Sequence, residues 1–204
     1  MLNRRLATSL IALGLAGLAV AGCADQAAAV RVDDRTMSRS DFEEHLDALY
    51  EDDDLRTVVF GGVARSALRP EDAPEGTYTQ QYVGGMASLH ASLLAVEQLL
   101  DDEGIELTDD DRDAARQELA ERTGLDPDQM RGAAWDVYVD GFAGITRLAD
   151  ELGGQEEAQD AIDAVLTEAD VSVSSQYGSW DPDTLRVTPP PGPRGDGGTG
   201  SFVG

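Results

Sequence analysis

Hydrophobic residues recur every three or four positions along most of the chain, which is the period of an amphipathic helix. The longest such run is expected to begin at Tyr78 and to end at Gly104, and it predicts the main core helix. Its inward-facing residues are predicted to be Tyr82, Met86, Leu89, Leu93, Val96 and Leu100. The same period predicts a last helix whose core residues are Ala158, Ile162, Val165 and Ala169. The pattern therefore predicts a mostly α fold.

A second long helix is predicted to start at Pro127, because a first helical turn tolerates proline and Asp126 can cap it. Gly141 and Gly144 are expected to bend this helix, and the pair Gly153-Gly154 is expected to end it. Its apolar face is predicted to carry Met130, Ala134, Val137, Tyr138, Ile145, Leu148 and Leu152.

Thr108 precedes three aspartates, Asp109 to Asp111, and this order predicts a capped helix that runs to about Arg122. An acidic triplet also invites the alternative of a calcium loop. A loop of the EF-hand type needs alternating ligands, a central glycine and a glutamate at the twelfth position, and this segment lacks that spacing. Helix capping is therefore the favoured interpretation.

Two short segments have the alternating period of a strand, Ala29 to Val32 and Val171 to Val173. We expect Val30 and Val32 to pair with Val171 and Val173, so that the two ends of the domain meet. Directly after the first of these strands, Asp33-Asp34 is expected to form a turn. Ser40 with Glu43 is then expected to cap a helix that runs to the acidic segment 51–54.

Residues 55–77 have no clear period. Val58 to Phe60 could be a brief strand or the buried end of a helix, and the glycines and prolines after them predict a long loop. A loop of this length is either functional or flexible, and flexibility is the favoured interpretation.

The first 22 residues have the layout of a secretory signal, with Arg4-Arg5 ahead of an apolar run from Leu6 to Val20. The run is shorter than the roughly 20 residues that a membrane span needs. The stretch 20–23, which ends in Cys23, resembles a bacterial lipobox. That resemblance implies cleavage before Cys23, diacylglyceryl modification of its thiol, and an anchor on the extracytoplasmic face of the cell membrane. An ordinary secretory signal is the alternative.

The predicted organisation is a signal peptide at 1–22, a lipidated tether at 23–28, a helical domain at 29–187, and a disordered Pro- and Gly-rich tail at 188–204. Composition adds a formal net charge of −25, with no lysine. A nucleic-acid partner is excluded on these grounds, because binding phosphates requires a basic surface. Cys23 is the sole cysteine, so the core must hold without a disulfide.

A search for catalytic chemistry finds no candidate. His45 and His90 each fall within a predicted helix and are expected to be structural, without a metal-ligand or nucleophile neighbourhood in sequence. The glycine pairs lack the spacing of a phosphate loop. With 40 acidic residues, a carboxylate pair is most simply part of a solvated surface. We therefore expect a non-enzyme without a metal or a cofactor.

The segment 29–42 has a valine strand, a tight turn, a hydrophobic residue at Met37 and a capped helix, and it resembles the opening of SurA-type N-terminal domains. The segment Tyr177-Gly178-Ser179-Trp180-Asp181 resembles one that follows the last helix in SurA-like lipoproteins. The resemblance implies a SurA N-terminal-like helical domain, with extracytoplasmic chaperone work on unfolded or nascent exported proteins. A parvulin domain is not expected, because too few residues follow Val187.

On this interpretation the protein is a membrane-tethered holdase, and adaptable or aromatic side chains on its helices bind apolar client segments. The candidate client-binding residues are Tyr82, Met86, Met130, Trp135, Tyr138 and Phe142. Core packing explains the same residues equally well. One alternative function is a lipid-anchored scaffold for a single envelope partner, and a further alternative is a solute-binding lipoprotein.

Overall fold

The computed structural model of the protein describes residues 28–74, 76–190 and 201–203. The predicted signal peptide, lipobox and tether before residue 28 lie outside the described residues, as does segment 191–200 of the tail. Within these described residues the helices are α1 Arg39–Glu51, α2 Asp53–Phe60, α3 Arg65–Leu68, α4 Gln80–Asp102, α5 Asp109–Thr123, α6 Ala133–Leu152 and α7 Gln155–Glu168. The strands are β1 Ala28–Val32, β2 Arg35–Ser38, β3 Thr77–Thr79, β4 Val171–Val173, β5 Ser179–Asp181, β6 Arg186–Thr188 and β7 Ser201–Val203. The predicted mostly α fold is confirmed.

The two ends of the domain meet in a three-stranded antiparallel sheet with the order β2-β1-β4. Val30 lies opposite Val173 and Val32 lies opposite Val171, so the predicted pairing is confirmed. Val30 and Val32 are buried, because alternate residues of a strand point to the same face. The turn into β2 places Asp33 at φ +51°, and its carboxylate accepts a hydrogen bond from the Asp170 amide at 2.9 Å.

The central helix α4 packs against the sheet, α6, α7 and the β5–β6 hairpin, and the residues it buries include Tyr82, Met86, His90, Val96 and Leu100. By length and composition α4 is apolar enough to cross a membrane, but 61% of that window is buried inside the protein. Such burial is what a core helix requires, since the apolar surface of α4 is covered by the protein itself.

Helix α6 runs without interruption through Gly141 and Gly144, where the sequence predicted bends. A Cβ at Gly141 would lie 2.3 Å from Leu93 Cδ2, and one at Gly144 would lie 2.7 Å from Val96 Cγ1. The two glycines therefore serve the close approach of α6 to α4.

Three predicted helix starts need correction. The first helix is capped by Ser38, whose hydroxyl accepts from the Asp41 amide at 3.1 Å, and not by Ser40. The central helix starts at Gln80, because Tyr78 belongs to β3. Pro127 opens a single 3-10 turn capped by Asp126, and α6 begins only at Ala133, because Gly132 adopts φ +112° and separates the two.

The predicted cap of α5 is confirmed. The Thr108 hydroxyl accepts from the Asp111 amide at 3.2 Å, and the Asp111 carboxylate accepts from the Thr108 amide at 2.8 Å. This reciprocal pair satisfies two amides of the first turn.

Two small two-stranded sheets complete the fold, and the sequence predicted neither. Strand β5 pairs with β6, with Trp180 opposite Val187. Strand β3 pairs with β7, with Tyr78 opposite Phe202. The three residues Ser201–Val203, which belong to the tail predicted to be disordered, pair in register with β3.

Candidate functional site

An open groove of about 500 Å³ lies beside the first turns of α4, and its walls are mainly apolar. One wall comes from the end of α2 and from α3, and the other comes from β6 and the residues after it. The principal lining side chains are Phe60, Val63, Leu68, Tyr82, Val187 and Pro189. Val63 is 38% exposed, whereas a large aliphatic side chain of a monomeric domain is usually covered. The groove is thus an apolar surface open to a partner.

The α2–α3 wall is fixed by a buried arginine. Asp52 caps α2, and Gly61 ends it at φ +65°. The chain then returns along the helix, where the Arg56 guanidinium donates from Nε to the Val63 carbonyl at 3.0 Å. From Nη1 it also donates to the Leu49 and Tyr50 carbonyls of α1, each at 3.0 Å. Arg56 therefore ties Val63 to α1 and sets one edge of the groove.

The opposite wall is the β5–β6 hairpin, which packs directly on α4. The Val187 amide donates to the Ser88 hydroxyl at 2.8 Å. A Cβ at Gly84 would lie 3.3 Å from the Val187 carbonyl oxygen, so this glycine permits the contact. Gly178, at φ +140°, lies under the hairpin, and a Cβ there would come within 2.4 Å of the Thr188 carbonyl oxygen.

Tyr82 forms the buried floor of the groove. Its hydroxyl donates to the Leu46 carbonyl at 2.8 Å, and its ring contacts Phe60 and Tyr78 edge to face. Burial raises the pKa of the Tyr82 phenol well above its usual range, with smaller contributions from Tyr138 and Tyr78. The phenol therefore stays protonated, and the floor is uncharged at physiological pH.

The structure places the other candidate client-binding residues away from this groove. Met86, Met130 and Tyr138 are buried in the core, and the Tyr138 hydroxyl lies 3.9 Å from the Met86 sulfur. Trp135 is 6% exposed and donates from Nε1 to Asp52 Oδ2 at 3.0 Å. Phe142 is half-buried, with the Arg122 guanidinium 5.0 Å from its ring centre. Of the six candidates, Tyr82 lines the groove.

Sequence reasoning missed the remaining groove residues. Val63 and Leu68 lie in a segment expected to be flexible, and Val187 lies at the predicted border of the tail. The usable signal was the apolar run Val58-Val59-Phe60 followed by Gly61-Gly62, which is typical of a helix that ends with an exposed apolar residue beyond it.

The two histidines meet in the core between α1, α4 and α6. His45 Nδ1 lies 3.3 Å from His90 Nε2, and their rings are stacked with centroids 5.1 Å apart. Phe42 and Tyr138 pack around the pair. Burial lowers the pKa of both imidazoles, and that of His90 falls to about 3. Both rings are therefore neutral near pH 7.

Within the described parts of the chain, no cluster of three or more histidine, cysteine or acidic side chains has the geometry to hold a metal ion. Comparison of the chain with protein-family models, with curated proteins and with solved structures finds no match to any of them. The groove and the chain's own residues are therefore the basis for a function.

Proposed function

We propose that the protein is a lipid-anchored, extracytoplasmic holdase that binds apolar segments of unfolded or partly folded exported proteins, without catalysis. The observation that carries this proposal is the open groove beside α4, with Val63 exposed at its edge and Tyr82 as its floor. A SurA N-terminal-like domain and an anchor at Cys23 are parts of the same proposal.

The size and shape of the groove suit an extended polypeptide. A volume of about 500 Å³ lies within the range of ligand pockets and accepts a few apolar side chains at once. Strand β3 runs directly into α4, and Thr79 donates from its hydroxyl to the Ala67 carbonyl at 3.0 Å, which joins the strand to α3 at the groove. Strand β3 pairs with the extended segment Ser201–Val203, so backbone pairing to β3 is one way in which this face can hold an extended chain.

Charge adds a preference among clients. The chain carries 40 acidic residues against 15 arginines, so the field around the domain is negative and favours basic or uncharged segments. Arg186 lines the groove, and Arg65 and Arg69 lie over the Tyr50 ring nearby, at 5.2 and 5.0 Å from its centre. Salt screens such interactions, so the preference for basic over neutral clients should shrink at high ionic strength, whereas the apolar contribution should persist.

The test uses the full mature chain in detergent and a reduced, alkylated model protein that cannot fold. The wild-type protein is expected to suppress aggregation of this client and to bind its apolar peptides with similar micromolar affinities. Ala67 and Ala64 are both exposed, but only Ala67 lines the groove. Ala67→Asp should weaken peptide binding at least fivefold, and Ala64→Asp, which adds the same charge three residues away, should leave it unchanged.

Two results would overturn the proposal. One is aggregation that proceeds unaltered even with the protein in stoichiometric excess. The other is equal peptide affinity in the Ala67→Asp and Ala64→Asp variants. Retention of one folded envelope protein, without affinity for unfolded chains, would replace the holdase by a scaffold.

A further inference from the structure

A second cavity lies on the other side of α4, where this helix faces α6, and it is unrelated to the groove. It has a volume of about 260 Å³, and Met37 of β2 and Leu107 are among the residues that line it. Its walls are apolar, formed by Leu93, Val96 and Leu100 of α4 with Val137 of α6. A space of this size between two well-packed helices is larger than a water site and can hold a small organic molecule.

One of the residues that line the cavity carries a buried polar atom without a partner. His90 lines the cavity and is 0% exposed. Its Nε2 faces His45 Nδ1, and its Nδ1 has no hydrogen-bond partner in the described part of the chain. Buried polar atoms are almost always paired, so this nitrogen identifies a position where a ligand atom is expected.

The outer end of the cavity is acidic. Asp136 and Asp140 of α6 line it. Asp136 forms an ion pair with Arg116 at 3.1 Å, and Asp140 forms one with Arg112 at 2.7 Å. Glu97 lines it too and forms an ion pair with Arg35, with 3.6 Å between Arg35 Nη1 and Glu97 Oε2, which is longer than a hydrogen bond. The Glu97 side chain is 59% exposed, so its oxygens remain available to a ligand at the mouth.

The electrostatics at both ends favour a cation. Partial burial raises the pKa of Glu97, and the Asp101 and Asp140 carboxylates add to this effect against the opposing charge of Arg35. A bound positive charge would relieve this crowding of carboxylates. Burial, with a contribution from His45, lowers the pKa of His90 to about 3, so this ring is neutral and does not repel a bound cation.

The tautomers of the histidine pair decide what His90 can accept from a ligand. When the His90 Nε2–H donates to His45 Nδ1, the free His90 Nδ1 is an acceptor and requires a ligand donor. His90 and Glu97 are seven residues apart, about 10 Å along the helix axis, and the glutamate side chain leans back toward the N-terminus. The space between the two polar ends is bounded by apolar side chains.

We propose that this cavity binds an arylalkylamine, with its ammonium group at Glu97, its ring between α4 and α6, and a ring N–H that donates to His90 Nδ1. The ligand is thus a compact organic cation with an apolar aromatic body. The site is separate from the polypeptide groove and does not depend on the holdase function.

Four matched probes test the proposal on the full mature chain by calorimetry. Tryptamine has the positive charge, the aromatic ring and the ring N–H. 1-Methyltryptamine lacks the ring N–H, tryptophol lacks the charge, and indole-3-propionate carries a negative charge instead. Tryptamine should bind tightest, 1-methyltryptamine at least fivefold weaker and tryptophol at least tenfold weaker, with the acid weakest of the four. In nitrogen NMR spectra, tryptamine should shift the His90 Nδ1 resonance, and 1-methyltryptamine should not.

Variants assign the binding to the cavity. Glu97→Gln should remove the preference for tryptamine over tryptophol, whereas Asp102→Asn, which removes an exposed charge from the same helix, should keep it. Val137→Phe should fill the cavity and abolish tryptamine binding while peptide binding at the groove remains. Equal affinity for all four probes, no binding at millimolar concentration, or binding unaffected by Val137→Phe would each overturn the proposal.

Discussion

His45 and His90 face each other across the core, with 3.3 Å between Nδ1 of the first ring and Nε2 of the second. Burial is the main cause of the low pKa of both rings, and it outweighs the attraction of Asp41 and Glu44 on His45. Each ring is therefore stable only in its neutral form, and a proton on either would place an unpaired charge in the core.

We expect stability to fall as the pH drops below about 6.5, the pKa of an unperturbed histidine. Between that value and about 3, where His90 titrates in the folded state, the unfolded chain binds more protons, so acid favours unfolding. Each fully differing proton contributes about 1.4 kcal/mol per pH unit. Urea titrations from pH 7.5 to 4.5 would measure the free energy of unfolding. The part of this range above about pH 5 lies above the window where Asp53 and Asp111, whose pKa values are lowered, begin to matter.

The matched variant is His90→Phe, which keeps an apolar ring and removes one titrating group. Its free energy of unfolding should depend less steeply on pH than that of the wild-type protein. A wild-type stability that stays constant from pH 7 to 5 would contradict the assignment of acid sensitivity to this pair.

Replacement of Gly144 by a larger residue is expected to destabilise the protein. A Cβ there would lie 2.7 Å from Val96 Cγ1 and 3.1 Å from Leu100 Cδ1, so two buried side chains must move. We expect Gly144→Ala to lower the free energy of unfolding by about 1–3 kcal/mol, the usual cost of overpacking. Thermal and urea denaturation would measure it.

Gly85→Ala is the control, because its Cβ would lie 3.9 Å from Phe60, at ordinary contact distance within a helix. It should be neutral or stabilising by up to about 1 kcal/mol, since alanine favours the helix more than glycine does. Equal effects of the two substitutions would show that helix propensity, rather than the approach of α6 to α4, decides the result.

The sequence correctly predicted the helices and strands that have a clear hydrophobic period or a strong helix cap. Helices of three or more turns follow from the spacing of their apolar residues, and the β1–β4 pairing follows from two valine pairs at the ends of one domain. Three-residue strands such as β5 and β6 have too few positions to show a period, and their pairing depends on the α4 surface that supports them. Local signals alone could not reveal them.

Competition between neighbouring capping signals explains why the start of the first helix was misplaced. Ser38 and Ser40 each have an acidic residue three positions later, and the extent of the β1–β2 ladder decides that Ser38 is the cap. The groove could not be predicted, because Val63 and Val187 are 124 positions apart and meet only through tertiary packing. Residues of the amphipathic pattern, by contrast, were correctly predicted to pack, and this is why most of the candidate client-binding residues are buried.

Arg56 is expected to be necessary for the groove as well as for stability. It is 5% exposed and donates to the carbonyls of Leu49, Tyr50 and Val63. A lysine has one nitrogen and cannot reach the same three acceptors. Arg56→Lys should lower the free energy of unfolding by about 1–3 kcal/mol, the cost of buried carbonyls left without a donor.

The same substitution should increase hydrogen exchange in segment 61–63. Arg65→Lys is the control, because Arg65 is more exposed and its ion pair with Asp53 is solvated. If both lysine variants were equally stable, Arg56 would not be the residue that fixes this wall.

Gly178 is expected to determine whether the second wall forms. Alanine there would be strained at φ +140°, and its Cβ would meet the Thr188 carbonyl at 2.4 Å, a backbone atom that cannot rotate away. We expect Gly178→Ala to lower the free energy of unfolding by about 1–3 kcal/mol. Protection of the Val187 amide, which donates to Ser88, should fall in hydrogen-exchange measurements while α6 and α7 stay protected. Unchanged protection at Val187 would contradict this role.

Cys23 is expected to determine where the protein resides. Cys23→Ser removes the thiol that the lipobox resemblance marks for lipidation, so the protein should leave the membrane fraction with its domain still folded. Ala24→Ser, a similar polar change one residue later, should leave it membrane-bound. Fractionation after a high-salt wash, with circular dichroism of the released protein, provides the measurement. A Cys23→Ser protein that remains with the membrane would refute the anchor.

The pairing of β1 with β4 also dictates an order of events during folding. Val30 finds one partner strand almost at once in β2, but the other, at Val173, is 143 residues further along the chain. Closing so long a loop is entropically costly and belongs to the late part of folding. A chain that emerges N-terminus first therefore leaves one edge of β1 without its partner strand until nearly the whole domain has emerged. In that interval the incomplete domain exposes the apolar residues Val30 and Val32, the kind of segment that we propose it binds in other proteins.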